Sequence, residues 1–289
     1  MFGVPEMAEQ IYSVFAFKKH AKQFFPALVL TAFASLGVSV DVSAAGKAAS
    51  AQATYPGYQK PYSDADVPAG PMGDSIKHGY FIVTQTKKAL PDNVGNVLYC
   101  TACHQENGQK PFAAPFVGLP GIFPQYNKRD GKVITLQDRI NGCFRRSMNG
   151  KALDVASQDM TDIVAYMTYL SKDVPSGTEP KGRGFVEVAK PAQPEDASRG
   201  KLVYEAKCAM CHGADGQGMK AGDNYIFPPL WGDNSYNDGA GMSKVDKAVR
   251  FIKHNMPKNA PNTLTEQEAW DVAKYIDSQP RPHFDKAKQ

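Results

Sequence analysis

Two short segments of the sequence pair two thiols with an imidazole at the same spacing, C-x-x-C-H. They consist of Cys100, Cys103 and His104 in the first segment and of Cys208, Cys211 and His212 in the second. Two thiols three residues apart can each add to one vinyl group of a single haem, and the following histidine can reach the iron. A zinc site would need further cysteine or histidine ligands, and a redox dithiol needs no histidine after it. The two segments therefore predict two covalently bound haem c groups.

Cys143 is the fifth cysteine of the chain and belongs to neither segment. If the surrounding residues form a helix, Arg139, Cys143 and Ser147 lie on one stripe, at positions i, i+4 and i+8. An arginine one turn away lowers the pKa of a thiol and favours the thiolate, which binds iron and attacks sulfur. Two interpretations remain open from spacing alone: Cys143 is a reactive iron ligand, or it is a buried and inert thiol.

The two halves of the chain form a repeat. A shift of 108 residues places the first C-x-x-C-H segment on the second, and further positions match without a gap: Pro120 with Pro228, Thr135 and Asp138 with Ser243 and Asp246, Met148 with Met256, and Ser157 with Thr265. The Ser and Thr residues of these pairs are predicted to cap helices at the N-terminus. In the same register Cys143 matches Phe251, a predicted core position, so we expect position 143 to face the haem pocket.

Helical periodicity predicts a helix before each haem segment, at 75–88 and 197–206, a helix at 243–254, and a last helix in each half. Met256 follows the third of these in an extended segment and is the predicted axial partner of His212. Met242, Lys253 and His254 are rival candidates. In the first half the matching residue is Met148, which competes with Cys143 for the position opposite His104.

The predicted fold is all-α, with two tandem class I cytochrome c domains that each wrap around one haem. The predicted boundaries are 1–44 for a signal peptide, 45–72 for an N-terminal arm, 73–171 for the first domain, 172–196 for a linker and 197–289 for the second domain.

The N-terminal region has the pattern of an export signal. Basic residues at 18–22 precede an apolar run from Phe24 to Val40, and small residues follow at 42–45. We therefore expect a periplasmic protein with no stable membrane anchor after cleavage. The net charge of +4 is small, and haem propionates would offset it, so no nucleic-acid partner is predicted.

Three segments together resemble the di-haem thiosulfate dehydrogenases. They are 138–150, D-R-I-N-G-C-F-R-R-S-M-N-G; 90–96, L-P-D-N-V-G-N; and the closing stretch 275–282, Y-I-D-S-Q-P-R-P. The resemblance covers essentially the whole chain after the signal, and the segment around Cys143 is its specific part.

This resemblance implies that the first haem is catalytic, with His104 and Cys143 as axial ligands, and that Arg129, Arg139 and Ser147 belong to its active site. It implies an electron-exit haem with His212 and Met256; the lysine that some members carry before this methionine is Asn255 here, which speaks against a ligand exchange. The implied reaction joins two thiosulfates to tetrathionate, reversibly, with a small soluble cytochrome as electron acceptor.

Two other functions fit parts of the sequence. A di-haem electron carrier would have Met148 and Met256 on its two irons and an idle Cys143. A haem subunit of the sulfur-oxidising Sox type would also place a cysteine on a haem, but it would transfer sulfur to a carrier protein.

Overall fold

A computed structural model describes residues 61–222 and 224–286. The predicted signal peptide and residues 45–60 of the predicted arm lie outside the described residues. Within the described part, no helix is both long and apolar enough to cross a membrane.

The two halves of the chain contain corresponding helices. The first half has a 3-10 turn at Asp64–Asp66, α1 (Pro71–Thr84), α2 (Thr86–Ala89), a 3-10 turn at Cys100–Ala102, α3 (Gln105–Gly108), α4 (Leu136–Arg146) and α5 (Gln158–Leu170). The second half has α6 (Ala197–Lys207), α7 (Ala209–His212), a 3-10 turn at Gly241–Ser243, α8 (Val245–Asn255) and α9 (Glu266–Asp277). The helices predicted at 75–88, 197–206 and 243–254 are confirmed, with shifted ends: α1 begins earlier and breaks before α2.

Two small antiparallel hairpins, which were not predicted from the sequence, lie between the helices. Strand β1 (Gln125–Asn127) pairs with β2 (Lys132–Ile134), and β3 (Met219–Ala221) pairs with β4 (Asn224–Phe227). Each hairpin lies in the long loop between the haem segment and the following helix. The predicted all-α class is therefore confirmed, because these short strands lie in loops and the rest of the regular structure is helical.

The predicted N-caps are confirmed at three of four positions. Thr135 and Thr265 form capping boxes, and the Ser157 hydroxyl accepts from the Met160 amide. The fourth prediction is wrong, because Lys244 is the N-cap of α8 and its side chain makes no capping bond. The hydroxyl of Ser243 instead donates to Asp238 O and Ala240 O, which closes the 3-10 turn before the helix.

The first and last helices of each domain pack against each other, α1 on α5 and α6 on α9. A glycine lies at each crossing. A Cβ atom on Gly79 would stand 2.0 Å from the Asp162 carbonyl oxygen, and one on Gly200 would stand 1.9 Å from that of Asp271. Only glycine allows this approach, so the same tight crossing is built twice.

Each crossing also buries a carboxylate. Asp162 accepts hydrogen bonds from Ser75 Oγ and from His78 Nδ1, the latter at 2.7 Å. In the second domain Asp271 accepts from Arg199 Nε at 2.7 Å. Burial raises the pKa of Asp162, but the hydrogen bonds it receives outweigh burial and hold the pKa below its usual value.

The two domains pack together through buried amides. Asn96 Nδ2 donates to Ser147 O at 2.8 Å in its own domain and to Ser235 O at 3.0 Å in the other. Asn237 Nδ2 donates in the opposite direction, to Arg145 O at 2.9 Å and to the Asn149 side chain at 3.0 Å. Because unpaired buried amides are costly, these bonds fix how the two domains meet.

Candidate functional site

The first C-x-x-C-H segment presents its histidine to a pocket. Cys100–Ala102 form a 3-10 turn, and Thr86 Oγ1 donates to Cys100 Sγ at 3.4 Å. His104 Nδ1 donates to the Ala114 carbonyl at 2.5 Å. This bond fixes the tautomer and leaves Nε2 with a free lone pair, as a metal-ligating histidine requires.

The second segment repeats the arrangement with one difference. His212, at the end of α7, donates through Nδ1 to the Pro228 carbonyl at 2.9 Å. The repeat aligns Pro228 with Pro120, but the carbonyl that receives His104 belongs to Ala114. The alignment of the two halves at a constant shift of 108 residues therefore does not hold in this loop. The residue that accepts the histidine hydrogen bond in the first domain lies six residues before the position that the alignment predicts.

A pocket of about 690 Å³ opens beside the first segment. Most of its lining is apolar, and both cysteines of the segment face it: Val83, Leu98, Tyr99, Cys100, Cys103, His104, Phe116, Ile140, Cys143, Phe144, Ser147, Met148, Ile163, Met167, Tyr236 and Met242. An apolar wall with two thiols and one imidazole suits the vinyl edge of a haem. The residues present therefore fit a covalent haem.

A second pocket, of about 780 Å³, lies directly beside the first. The residues that line both pockets are His104, Phe116, Ile140, Cys143 and Met167. His104 and Cys143 thus stand at the junction of the two spaces, where an iron would lie. Met148 is buried and lines only the pocket with the thiols, so it sits off this junction.

The surroundings of Cys143 favour its thiolate. Arg139 Nη1 donates to Cys143 Sγ at 3.0 Å, one turn away along α4. Burial raises the pKa of the thiol, but the Arg139 guanidinium and the nearby His104 ring outweigh burial and lower the pKa to about 6. In contrast, burial raises the pKa of Cys100 to about 12 and that of Cys103 to about 11. The structure thus separates one thiolate from two thiols in the same pocket.

The other predicted active-site residues lie at different distances from Cys143. Ser147, the C-cap of α4, lines the same pocket. Arg129 lies in the turn of the β1–β2 hairpin, where its Nη1 donates to Gly239 O at 3.2 Å. It lies near Arg146, whose pKa is lowered by burial and by the Arg129 charge.

Arg146 lies near Cys143, a position that was not predicted from the sequence. Its guanidinium lies over the Phe284 ring, 5.8 Å from the centroid, and is close enough to Cys143 for the thiolate charge to oppose part of the lowering of its pKa. The signal was present, since Arg146 falls one turn after Gly142 on α4. A Cβ at Gly142 would collide with this guanidinium, so the glycine makes room for it.

The second domain closes the first pocket. Tyr236 and Met242 both line it, although they follow the second haem segment in the chain. Met242 packs against the buried cores of both domains. It was a rival of Met256 for the second iron, and the structure places it toward the first pocket.

Met256 follows α8 in an extended conformation and packs against the second core, as Cys208 does. The rivals Lys253 and His254 are both hydrogen-bonded to Asn262. Asn255 is buried and directs its side chain to the Phe112 carbonyl of the first domain, at 3.4 Å.

Comparisons with known proteins match both domains. Residues 95–176 match the family model of the SoxA/TsdA cytochrome c domain, and residues 195–276 match that of subunit III of cbb3-type cytochrome c oxidase. Two cytochrome c domains with intact attachment segments show that the protein carries two haem c groups.

Among curated proteins, the thiosulfate dehydrogenase of Psychrobacter arcticus is 46% identical over 220 residues, which cover 76% of this chain and 67% of that protein. The thiosulfate dehydrogenase of Allochromatium vinosum is 46% identical over 223 residues, which cover 75% of this chain and 82% of that one.

Among solved structures, the as-isolated thiosulfate dehydrogenase TsdBA from Marichromatium purpuratum matches with a TM-score of 0.74 and 37% identity over 77% of this chain. The match spans 49% of that longer chain, about half of its length. The helical two-domain architecture is therefore shared. With relatives of this identity and coverage, the chain belongs to the thiosulfate dehydrogenase family of di-haem cytochromes c.

Proposed function

We propose that this protein oxidises thiosulfate at Cys143, where the first haem would be held, joins two thiosulfates to tetrathionate, and passes the electrons to a small soluble acceptor cytochrome. The observation that carries the proposal is the pairing of Arg139 with the Cys143 sulfur, directly beside His104 at the junction of the two pockets. Membership in the thiosulfate dehydrogenase family supports the choice of substrate.

Thiosulfate is a small dianion with a soft terminal sulfur. The cations around Cys143 suit its sulfonate end, because arginines form charge-assisted hydrogen bonds with such oxygens. Arg139 donates to the sulfur, with Arg146 and Arg129 beyond it, and Ser147 lines the pocket on the side of the haem-attachment cysteines. An anion held there would direct its terminal sulfur toward Cys143.

The chemistry balances in two steps. In the first, the Cys143 thiolate and the terminal sulfur of one thiosulfate form a sulfur–sulfur bond and give up two electrons. In the second, the terminal sulfur of another thiosulfate attacks that bond, which releases tetrathionate and restores the thiolate. When bound, the two haems supply the electron acceptors, one electron each. The reverse sequence would reduce tetrathionate at the same site.

The proposed ligands would also give the two haems different reduction potentials. Cys143 as a thiolate ligand would lower the reduction potential of the first haem, whereas Met256 as a thioether ligand would raise that of the second. The difference favours electron flow away from Cys143. We further propose a periplasmic location, supported by the basic patch and apolar run that precede residue 45.

The test is thiosulfate-dependent reduction of ferricyanide by the purified di-haem protein, with tetrathionate measured as product. The wild type is compared with Cys143→Gly and with Met148→Leu, a control in the same pocket. We expect activity in the wild type and in the Met148 variant, and loss in the Cys143 variant with both haems still attached. Equal activity in the two variants would refute the catalytic role of Cys143.

One observation supports the alternative function of an electron carrier. Met148, the distal ligand that this function requires, is buried in the wall of the same pocket. In that case Met148→Leu would change the axial ligation of the first haem, visible in its absorption and electron paramagnetic resonance spectra. Cys143→Gly would leave those spectra unchanged, and no variant would form tetrathionate.

A further inference from the structure

The segment between the two domains lies along the first haem site. Phe112 N donates to Gly182 O at 2.6 Å, and Ala114 N donates to Gly184 O at 2.9 Å. Ala114 is the residue whose carbonyl receives the His104 imidazole. Residues 180–185, here called the strap, are thus hydrogen-bonded to the loop that orients the proximal histidine.

The strap is held from the second domain as well. Phe185 meets the Phe251 ring edge-on, with 5.9 Å between centroids. Further along, Glu187 pairs with Arg250 of α8. The stretch predicted as a linker therefore bridges both domains.

The two pockets beside His104 and Cys143 differ in polarity. The first contains the two thiols of the haem segment. The second is walled by apolar side chains together with three long polar ones, Gln125, Arg139 and Arg183, among the described residues that line it. Arg139 donates to the Cys143 sulfur, whereas Arg183 and Gln125 are hydrogen-bonded to each other.

A haem c has the same polarity. Its vinyl groups lie at one edge, where the cysteines bind them, and its two propionates lie at the opposite edge. With the first edge held at Cys100 and Cys103, the propionates would reach toward the other pocket. A carboxylate in a partly apolar pocket needs cationic or amide donors, and arginine binds carboxylates in a fork. We propose that Arg183 of the strap, with Gln125 of β1, binds the propionates of the first haem.

The Arg183 guanidinium is already positioned for this role. Its Nη2 donates to Gln125 Oε1 at 3.2 Å, and its Nη1 donates to both Glu179 carboxylate oxygens, at 2.6 and 2.8 Å. Glu179 is two-thirds exposed, whereas the Arg183 side chain is one-third exposed. Arginine has five N–H donors, so these contacts leave donors for a propionate. The charge of Arg183 would then favour the ferrous iron, which carries one positive charge fewer.

The test is a spectroelectrochemical titration of the purified di-haem protein, in which the first haem is followed by the spectral signature of its own axial ligands. Arg183→Gln is compared with the wild type and with Arg183→Lys. Haem attachment is checked by the ratio of haem to protein. We expect Arg183→Gln to move the midpoint potential of the first haem to a lower value, with the second haem unchanged, and Arg183→Lys to recover most of the shift.

Arg250→Gln is the matched control, because it removes one positive charge and one ion pair of the bridging segment without touching the pocket. No shift in Arg183→Gln, or an equal shift in Arg250→Gln, would overturn the proposal. A raised KM for thiosulfate at an unchanged potential would also overturn it, since the pocket would then bind the substrate anion. The proposal does not depend on the thiosulfate reaction, because the potential is measured without substrate.

Discussion

Replacing Arg139 by glutamine tests the proposed role of the Cys143 thiolate directly. Arg139 Nη1 lies 3.0 Å from Cys143 Sγ, and a hydrogen bond to a charged group contributes about 1.5–3 kcal/mol. Arg139 keeps some exposure to solvent, so the lower end of this range applies. A loss of about 1.4 kcal/mol in the transition state corresponds to about tenfold in kcat/KM.

Arg139 is also proposed to hold the sulfonate of thiosulfate, a second charge-assisted contact of similar size. Removing both contacts predicts a fall of about 100-fold in kcat/KM for Arg139→Gln. Arg139→Lys keeps the charge but not the fork of donors, so an intermediate loss is expected. The assay is the initial rate of ferricyanide reduction across a range of thiosulfate concentrations.

Arg145→Gln is the control for this experiment. Arg145 lies on the same helix, lines neither pocket, and its charge helps to lower the pKa of Asp138. The variant should keep kcat/KM within about twofold of the wild type, because it removes one positive charge from the same helix without removing a contact to the Cys143 sulfur. If Arg139→Gln lost no more activity than Arg145→Gln, the reasoning that ties Arg139 to the Cys143 sulfur would be refuted.

Three further predictions concern the scaffold. Asn237→Ala leaves buried partners in the first domain unpaired and should lower the free energy of unfolding by about 1–3 kcal/mol in a denaturant titration; an unchanged midpoint would show that the domain contact contributes nothing. Gly79→Ala places a methyl group against a backbone carbonyl and should lower Tm well below that of Gly241→Ala, where nothing stands within 4 Å; equal values would contradict the tight crossing. The folded-state pKa of Asp162 is lowered, so its ionised form stabilises the fold above the ordinary value of 3.8 and this stabilisation is lost as pH falls through the folded-state pKa. Asp162→Asn should therefore lower Tm at pH 7, with a difference that narrows in acid, whereas the exposed Asp159→Asn should not.

Much of the fold could be predicted because it depends on residues that are close together in the sequence. The C-x-x-C-H segments, the caps at Thr135 and Thr265, and the stripe of Arg139 and Cys143 all depend on residues within about two helical turns of each other. Periodicity and spacing are sufficient for such features.

The features that were missed depend on distant parts of the chain. Arg183 lines the second of the two pockets beside His104 from a segment with the composition of a linker, and Tyr236 lines the first from beyond the second haem segment. Neither position carries a periodic or motif signal. The capping prediction at Ser243 failed because a 3-10 turn competes for the same hydroxyl, a choice that local sequence similarity to Thr135 did not reveal.

The closure of the first pocket by Tyr236 and Met242 has a consequence for how the protein matures. A chain that stopped after the first domain would contain both proposed iron ligands, His104 and Cys143, yet it would lack one wall of their pocket. Synthesis runs from the N-terminus, so the reactive sulfur stays unshielded until the second domain has folded against it. Under the proposed function, the thiosulfate site and the domain of the second haem would therefore be completed in the same assembly event.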